Sequence, residues 1–392
     1  MCFLTILSII IIGVIFIHPF LTVSTEGDAH IYYVMVDSNF RDRRPIFMYR
    51  ILTPLLVAIL PVETLIGFII VNLTGFYATS LLFYYFLRKI GFSFPISLSG
   101  VFLFIISPIN IYLLQNICFV DFLTFFFFLL ALYALLDSNK KLFLISVTIG
   151  TANKEILLIT LVLFFFLELK EKDLRSSILS TLLISIPPIS VFLIIRFIMG
   201  FNYIYFSFSR IVFVLRLNLF FFNRKLFYHP YMFYRTFGVL WLISFLYLYL
   251  KKIENRFLKN SIILLPFIFL LGFLSVNYSR IFFIGFPIII PISLYLLKNP
   301  LQRNYLILIL IITLILLIFQ IIGPFYFESQ FNFIVPNLIS DIRSYIFYVL
   351  LISLFPISLM LILVYLIFKD FKIENSEENE LSLETRNKIQ IK

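Results

Sequence analysis

An all-α fold that crosses a membrane many times is what this 392-residue sequence predicts, and three observations carry the expectation. Hydrophobic residues make up 62% of the chain and charged ones only 13%, far from the balance of a soluble domain. Apolar runs repeatedly reach the ~20 residues that a helix needs to cross a bilayer. The short segments between those runs alternate between lysine-bearing and arginine-bearing loops. The expectation is a membrane domain over 1–368 with about eleven to twelve membrane helices, two of them half-length, followed by a cytoplasmic tail.

The first apolar run, 3–23, has no basic residue before it and no convincing small-residue cleavage site after it, so it reads as a retained signal-anchor helix. The segment 24–61 reads as a first outer loop. Its polar part holds Glu26, Asp28, Asp37, Asp42 and four arginines, and its apolar end, twelve residues before Pro61, is too short to span and suits an interfacial or re-entrant helix. Spans are expected near 64–87, 94–114, 117–136, 176–199, 236–250, 261–276, 281–297, 305–323 and 344–368. Between them, 142–152 and 156–169 are too short for ordinary spans and read as half-length or tilted helices meeting at Asn153-Lys154-Glu155. The tail 369–392 is charged and lacks apolar periodicity, as a disordered end does.

Loop charge sets the orientation. Thirteen of the fifteen lysines fall in loops on one side, which the positive-inside rule makes cytoplasmic together with both termini. Eleven of the sixteen arginines fall on the other side, against that rule. The outer face then consists of 24–61, the 200–235 loop and short turns, and it holds Arg41, Arg43, Arg44, Arg50, Arg210, Arg216, Arg224, Arg235, Arg280 and Arg343. A planar guanidinium fork suits bidentate capture of phosphate, so this face reads as built for a phosphate-linked lipid substrate. Anchoring of an interfacial helix to anionic headgroups is the alternative for Arg41, Arg43, Arg44 and Arg50.

The same composition narrows the function. The net charge of +11 is spread over many short loops with no stripe or motif, so nucleic acid is not an expected partner. Two cysteines and three histidines are too few for a disulfide framework or a protein-held metal cluster. Asp28 stands just after the first span, where it can act as a general base or bind a divalent cation bridging phosphate oxygens. A solvated loop aspartate is the alternative. Asp37 and Asp42 are secondary carboxylates, Asp42 reading as a charge partner of Arg41 and Arg43. Lys154 and Glu155 lie between apolar half-helices, where ionisable groups are costly and usually functional, unless they only pair with each other. Asp121 can orient an arginine or meet a sugar hydroxyl, but capping its helix is the favoured reading. The tyrosines of 200–235 read first as an aromatic interfacial belt and otherwise as a sugar-stacking platform.

Gly27-Asp28-Ala29-His30-Ile31-Tyr32-Tyr33, followed by Phe47-Met48-Tyr49-Arg50-Ile51-Leu52-Thr53-Pro54, resembles the first loop of the glycosyltransferase C superfamily, multi-pass enzymes that use polyprenyl-phosphate sugars. The Ala152-Asn153-Lys154-Glu155 turn and the later Asn277-Tyr278-Ser279-Arg280 turn, with Pro287 beyond it, resemble further parts of that family's pattern over about residues 1–300. The resemblance implies that Asp28 is the catalytic base and that Lys154 and its neighbours approach the donor phosphate. Arg44, Arg50, Lys154, Arg210 and Arg280 are then the candidate phosphate-binding residues, with His30, Tyr33, Glu155 and Asp121 as substrate contacts. No paired Asp-Asp or Asp-Glu occurs in the first loop. No cofactor is therefore expected, and a divalent cation is left open.

The function expected is transfer of a sugar from a polyprenyl-phosphate donor to a glycan, lipid or protein acceptor on the extracytoplasmic face of a membrane, most simply the plasma membrane. A transporter or flippase for lipid-linked oligosaccharides is ranked lower, because charge sits almost wholly in loops and no two similar halves appear. A polysaccharide polymerase or ligase is kept open by the 200–235 loop.

Overall fold

The computed structural model describes residues 27–41, 47–200, 236, 237, 240, 241, 243, 244, 253, 255–273 and 278–295. The expected features at 3–23, 201–235, 305–323, 344–368 and 369–392 lie outside these residues, as do Arg44 and Arg210. The described parts are helical, with no strand among them.

The described residues before α3 are more helical than the polar composition of 24–61 suggests. Helix α1 (Gly27–Asp37) and helix α2 (Leu52–Ile59) flank a short 3-10 turn, Phe47–Tyr49. In α1, Ala29, Tyr32, Met35 and Val36 repeat at helical spacing and are all buried. The short apolar helix expected before Pro61 is α2, which leaves Leu55, Leu56 and Ile59 exposed.

Helix α3 (Thr64–Ile90) ends where Gly91 takes φ +106, a left-handed cap whose N–H meets the carbonyls of Leu87 and Arg88. The expected span 94–114 is broken into α4 (Phe94–Ile105) and α5 (Pro108–Gln115), bent by 47°. Pro108 has no N–H to continue the ladder, and the freed carbonyls find side chains instead: Ser107 Oγ donates to Leu103 O at 2.7 Å and Asn110 Nδ2 to Phe104 O at 2.6 Å. Helix α6 (Asp121–Leu136) begins four residues later than the expected 117–136, since 117–120 is not helical.

Helix α7 (Lys140–Asn153) is capped at its start by Asn139, whose side chain accepts from Leu142 N at 3.0 Å. At 14 residues it is ~21 Å long, short of the ~30 Å hydrocarbon core, as expected for a half-length helix. It stops at Lys154, which is extended (φ −161, ψ 127), and the chain resumes as a 3-10 helix (Glu155–Ile159) leading into α8 (Thr160–Glu171). Helix α9 (Leu174–Met199) carries Pro187 and Pro188 in its middle and exposes Leu179, Leu182, Leu183, Ile186, Leu193, Ile194 and Phe197. The expected span 261–276 is α11 (Leu264–Phe273) among the described residues, preceded by a short α10 (Arg256–Ser261), and 281–297 holds the end of α12 (Tyr278–Phe282), a 3-10 turn (Phe283–Gly285) and α13 (Phe286–Leu294).

Two of these helices, α3 and α9, are long and apolar enough to cross a membrane, and the bent α4–α5 pair makes a third if counted as one span. Phenylalanine fills the centre of the bundle. Phe83, Phe104, Phe125 and Phe286 are fully buried, with Phe104 and Phe286 ring centroids 4.6 Å apart. Polar contacts collect at opposite ends of the helices. One end holds the Lys89–Asp137 pair, Glu168 between Lys140 (2.5 Å) and Lys172 (2.7 Å), and the Lys170–Asn260 contact. The other end holds the candidate site.

Candidate functional site

The site is assembled by one buried amide. Asn153, the last residue of α7, is fully buried and uses both ends of its side chain. Its Oδ1 accepts from Thr53 N (3.1 Å) and Thr53 Oγ1 (2.6 Å). Its Nδ2 donates to Val120 O (2.8 Å) and Thr124 Oγ1 (2.9 Å). With Ile51 N donating to Ala152 O at 3.1 Å, the start of α2 is docked onto the break after α7 and the start of α6. Arg50, Asp121, Lys154 and Glu155 flank these bonds in sequence, so the amide sets where all four can reach.

Lys154 Nζ donates to Asp121 Oδ1 at 2.6 Å. The second oxygen of Asp121 accepts from Arg280 Nη1 at 3.1 Å, and Arg280 Nη2 pairs with Asp28. The Arg280 guanidinium also lies over the Phe119 ring, 4.1 Å from its centroid. Asp121, Lys154 and Arg280 side chains are 0%, 5% and 6% exposed, whereas Asp28 keeps 21%. Beside this chain of contacts, Arg50 grips Glu155 with Nη2 (2.8 Å) and Nε (3.4 Å) and gives Nη1 to Tyr32 Oη at 3.2 Å. Tyr49 Oη donates to Gly200 O at 3.0 Å, and Arg196 lies over the Tyr49 ring, tying the end of α9 to the same face.

Burial raises the Tyr32 hydroxyl to about 12, Arg50 only partly offsetting it, so Tyr32 stays protonated. Burial works against a charged Glu155 as well, but the Arg50 fork outweighs it and holds the carboxyl down at about 2. The network thus sets three carboxylates, Asp28, Asp121 and Glu155, against three cations, Arg50, Lys154 and Arg280. A charge-balanced set of this kind is suited to holding oriented ions in a poorly hydrated place. It is poorly suited to a divalent cation, since Asp28 and Asp121 both face the Arg280 guanidinium. Among the described residues no group of three or more His, Cys, Asp or Glu is placed to hold a metal ion.

Asp28, Arg50, Asp121, Lys154, Glu155 and Arg280, read separately as candidates, are brought together. The favoured reading of Asp121 and the alternatives for Asp28 and for Lys154 with Glu155 are corrected. Asp28 is ion-paired at the start of a packed helix and is not a solvated loop residue. Asp121 is no cap: Val120 holds the cap position and no side-chain cap bond forms, while the carboxylate bridges two cations. Lys154 and Glu155 do not pair with each other. Asp121, Lys154 and Arg280 are nevertheless buried in the bundle, the first and last of them on helices. Among the described residues neither His30 nor Tyr33 joins the network. His30 is half-buried with Nδ1 unbonded, and it is Tyr32, at helical spacing i+4 from Asp28, that reaches Arg50. Asp37 and Arg41 are exposed. Tyr32 and Asn153 are the residues that sequence reasoning passed over, although the Asp28/Tyr32 spacing was available as a signal.

No family model, curated protein or solved structure matches this chain.

Proposed function

We propose that this protein is a multi-pass membrane glycosyltransferase that moves a sugar from a polyprenyl-phosphate donor to an acceptor outside the cytoplasm. One observation carries the reading. The three stretches on which the resemblance rests, far apart in the chain, meet side chain to side chain: Asp28 and Lys154 are joined through Arg280 and the intervening Asp121.

Sixteen residues of α6, ~24 Å of helix, separate Asp121 from Leu136 beside the lysine-rich end. That is ~6 Å short of the ~30 Å hydrocarbon core, so in a bilayer the cluster sits just below the outer boundary, and the donor phosphate has to enter the bundle to reach it. Both termini are then cytoplasmic and the site faces outward, under the positive-inside rule. In this reading Asp28 takes the proton of the acceptor hydroxyl, whose oxygen attacks the anomeric carbon. The bond to the lipid phosphate breaks with inversion, and Arg280 and Lys154 stabilise the departing charge.

The test is turnover of a panel of polyprenyl-phosphate sugars by membranes containing the protein, compared with Asp28→Asn. A fall of at least ~100-fold in an inserted, folded variant is expected, the usual scale of general-base catalysis. Activity unchanged by the substitution sinks the assignment of Asp28. Transport of a lipid-linked sugar is the second reading, favoured by ionisable side chains buried beside an interrupted helix. It predicts flux across a sealed membrane without release of polyprenyl phosphate.

A further inference from the structure

We infer that Arg280 is shared between a fixed carboxylate and an exchangeable one: Asp121 keeps the guanidinium in place, while Asp28 yields it to the donor's phosphate. Donor binding then uncovers the base. The inference rests on the donor reading above and adds an order of events to it.

The two carboxylates differ in what release would cost. Asp121 is fully buried and bridges Lys154 and Arg280, so withdrawing Arg280 would strand part of a buried charge. Asp28 retains 21% exposure and sits at the first turn of α1, where water and the helix N-terminus favour its carboxylate after Arg280 is withdrawn. The geometry also permits exchange without moving Arg280. Nη1 serves Asp121 and Nη2 serves Asp28, so a phosphate oxygen can replace Asp28 at Nη2 while Nη1 stays bonded. Arg50 is less available, because Nε and both Nη atoms are already engaged by Glu155 and Tyr32.

The exchange accounts for how a charge-balanced cluster accepts an anion. The phosphate brings new negative charge and takes over a donor that a carboxylate was using; Asp28, relieved of the guanidinium, becomes a stronger proton acceptor. The proton passes from acceptor hydroxyl to Asp28, the hydroxyl oxygen bonds to the anomeric carbon, and the electron pair of the broken bond leaves on the phosphate held by Arg280. Without donor, Arg280 keeps the base occupied.

The experiment measures binding of a long-chain polyprenyl phosphate to the full chain in zwitterionic nanodiscs, for wild type, Asp28→Asn and Asp28→Asn/Arg280→Lys. The neutral polyprenol and inorganic phosphate serve as control ligands. Asp28→Asn is expected to bind polyprenyl phosphate at least tenfold more tightly than wild type, with the gain lost in the double variant and absent for polyprenol. Equal or weaker binding by Asp28→Asn overturns the exchange while leaving the donor reading standing. A gain shared by polyprenol overturns it too, because the headgroup is then irrelevant. An equal gain for inorganic phosphate, with no preference for the lipid, assigns the site to soluble anion and overturns the order proposed. Absence of polyprenyl phosphate binding in every form removes the donor reading and the exchange together. Asp28→Ser replaces Asp28→Asn if the latter fails to fold. Failure of both marks the Asp28–Arg280 pair as an obligatory structural bond, which also overturns the exchange.

Discussion

Lys154 and Glu155 are adjacent in the chain but serve different partners, Lys154 the buried Asp121 and Glu155 the Arg50 fork. The extended backbone at Lys154 sends consecutive side chains to opposite sides, so one turn supplies an ion to each half of the network. The two differ in exposure, at 5% and 34%. Lys154→Met is therefore expected to cost on the order of 3–5 kcal/mol, the loss typical when one member of a buried pair is removed. Glu155→Gln, nearer water, is expected to cost clearly less. Thermal unfolding of both variants in detergent measures the difference, and equal losses refute the buried-hub description of Asp121.

Acid provides a separate handle on Glu155. Its carboxyl titrates near 2 in the fold against 4.5 ordinarily, because Arg50 outweighs the effect of burial. A depressed folded value means the pair stabilises the protein fully above the ordinary value, and that contribution is lost as pH falls from about 4.5 towards about 2. Unfolding midpoints of wild type should drop more steeply across this window than those of Glu155→Gln. Parallel curves contradict the Arg50–Glu155 pairing.

Asn153→Ala removes four hydrogen bonds and leaves Thr53 N and Val120 O without the side chain that joined them. A loss of about 2–4 kcal/mol is expected, given ~1–3 kcal/mol per buried polar group left unsatisfied. Detachment of the first segment should accompany it, seen as faster protease cleavage near 41–47 than in wild type. A variant as stable and as resistant as wild type would show that the docking does not depend on the amide.

Orientation is tested with cysteines at Ser38 and Ser138, which lie near the arginine-rich and lysine-rich ends. Cys2 is replaced by serine, and Cys118 is buried. A membrane-impermeant thiol reagent applied to intact cells should label Ser38→Cys and spare Ser138→Cys. The reverse pattern would place the cluster on the cytoplasmic face.

Part of this arrangement was legible in the sequence. Charge is costly between apolar half-helices, so Lys154 and Glu155 stood out, Arg280 did so as an arginine against the positive-inside rule, and a half-length α7 followed from the number of apolar residues before Asn153. The pairing was not legible, because which cation meets which carboxylate depends on how Thr53, Val120 and Ala152 come together, and hydropathy is blind to that. Asp121 shows the limit well. An acidic first residue reads as a cap in sequence, and only the approach of Arg280 from 159 residues away turns it into a bridge. The α4–α5 break was missed for a related reason: Ser107 and Asn110 supply the bonds that let an apolar run bend at Pro108.

The two prolines of α9 divide that helix mechanically. Pro187 and Pro188 have no N–H to offer the carbonyls of Leu183 and Ile184, so two successive rungs are missing from the ladder. Below the gap, Ser180 Oγ holds α9 to Glu168 at 2.9 Å; above it, Gly200 and Arg196 hold it to Tyr49. A rod weakened at its centre and clamped at both ends transmits little torque. The middle of α9 is thus the point at which it bends most easily, between the lysine-rich end and the ion network.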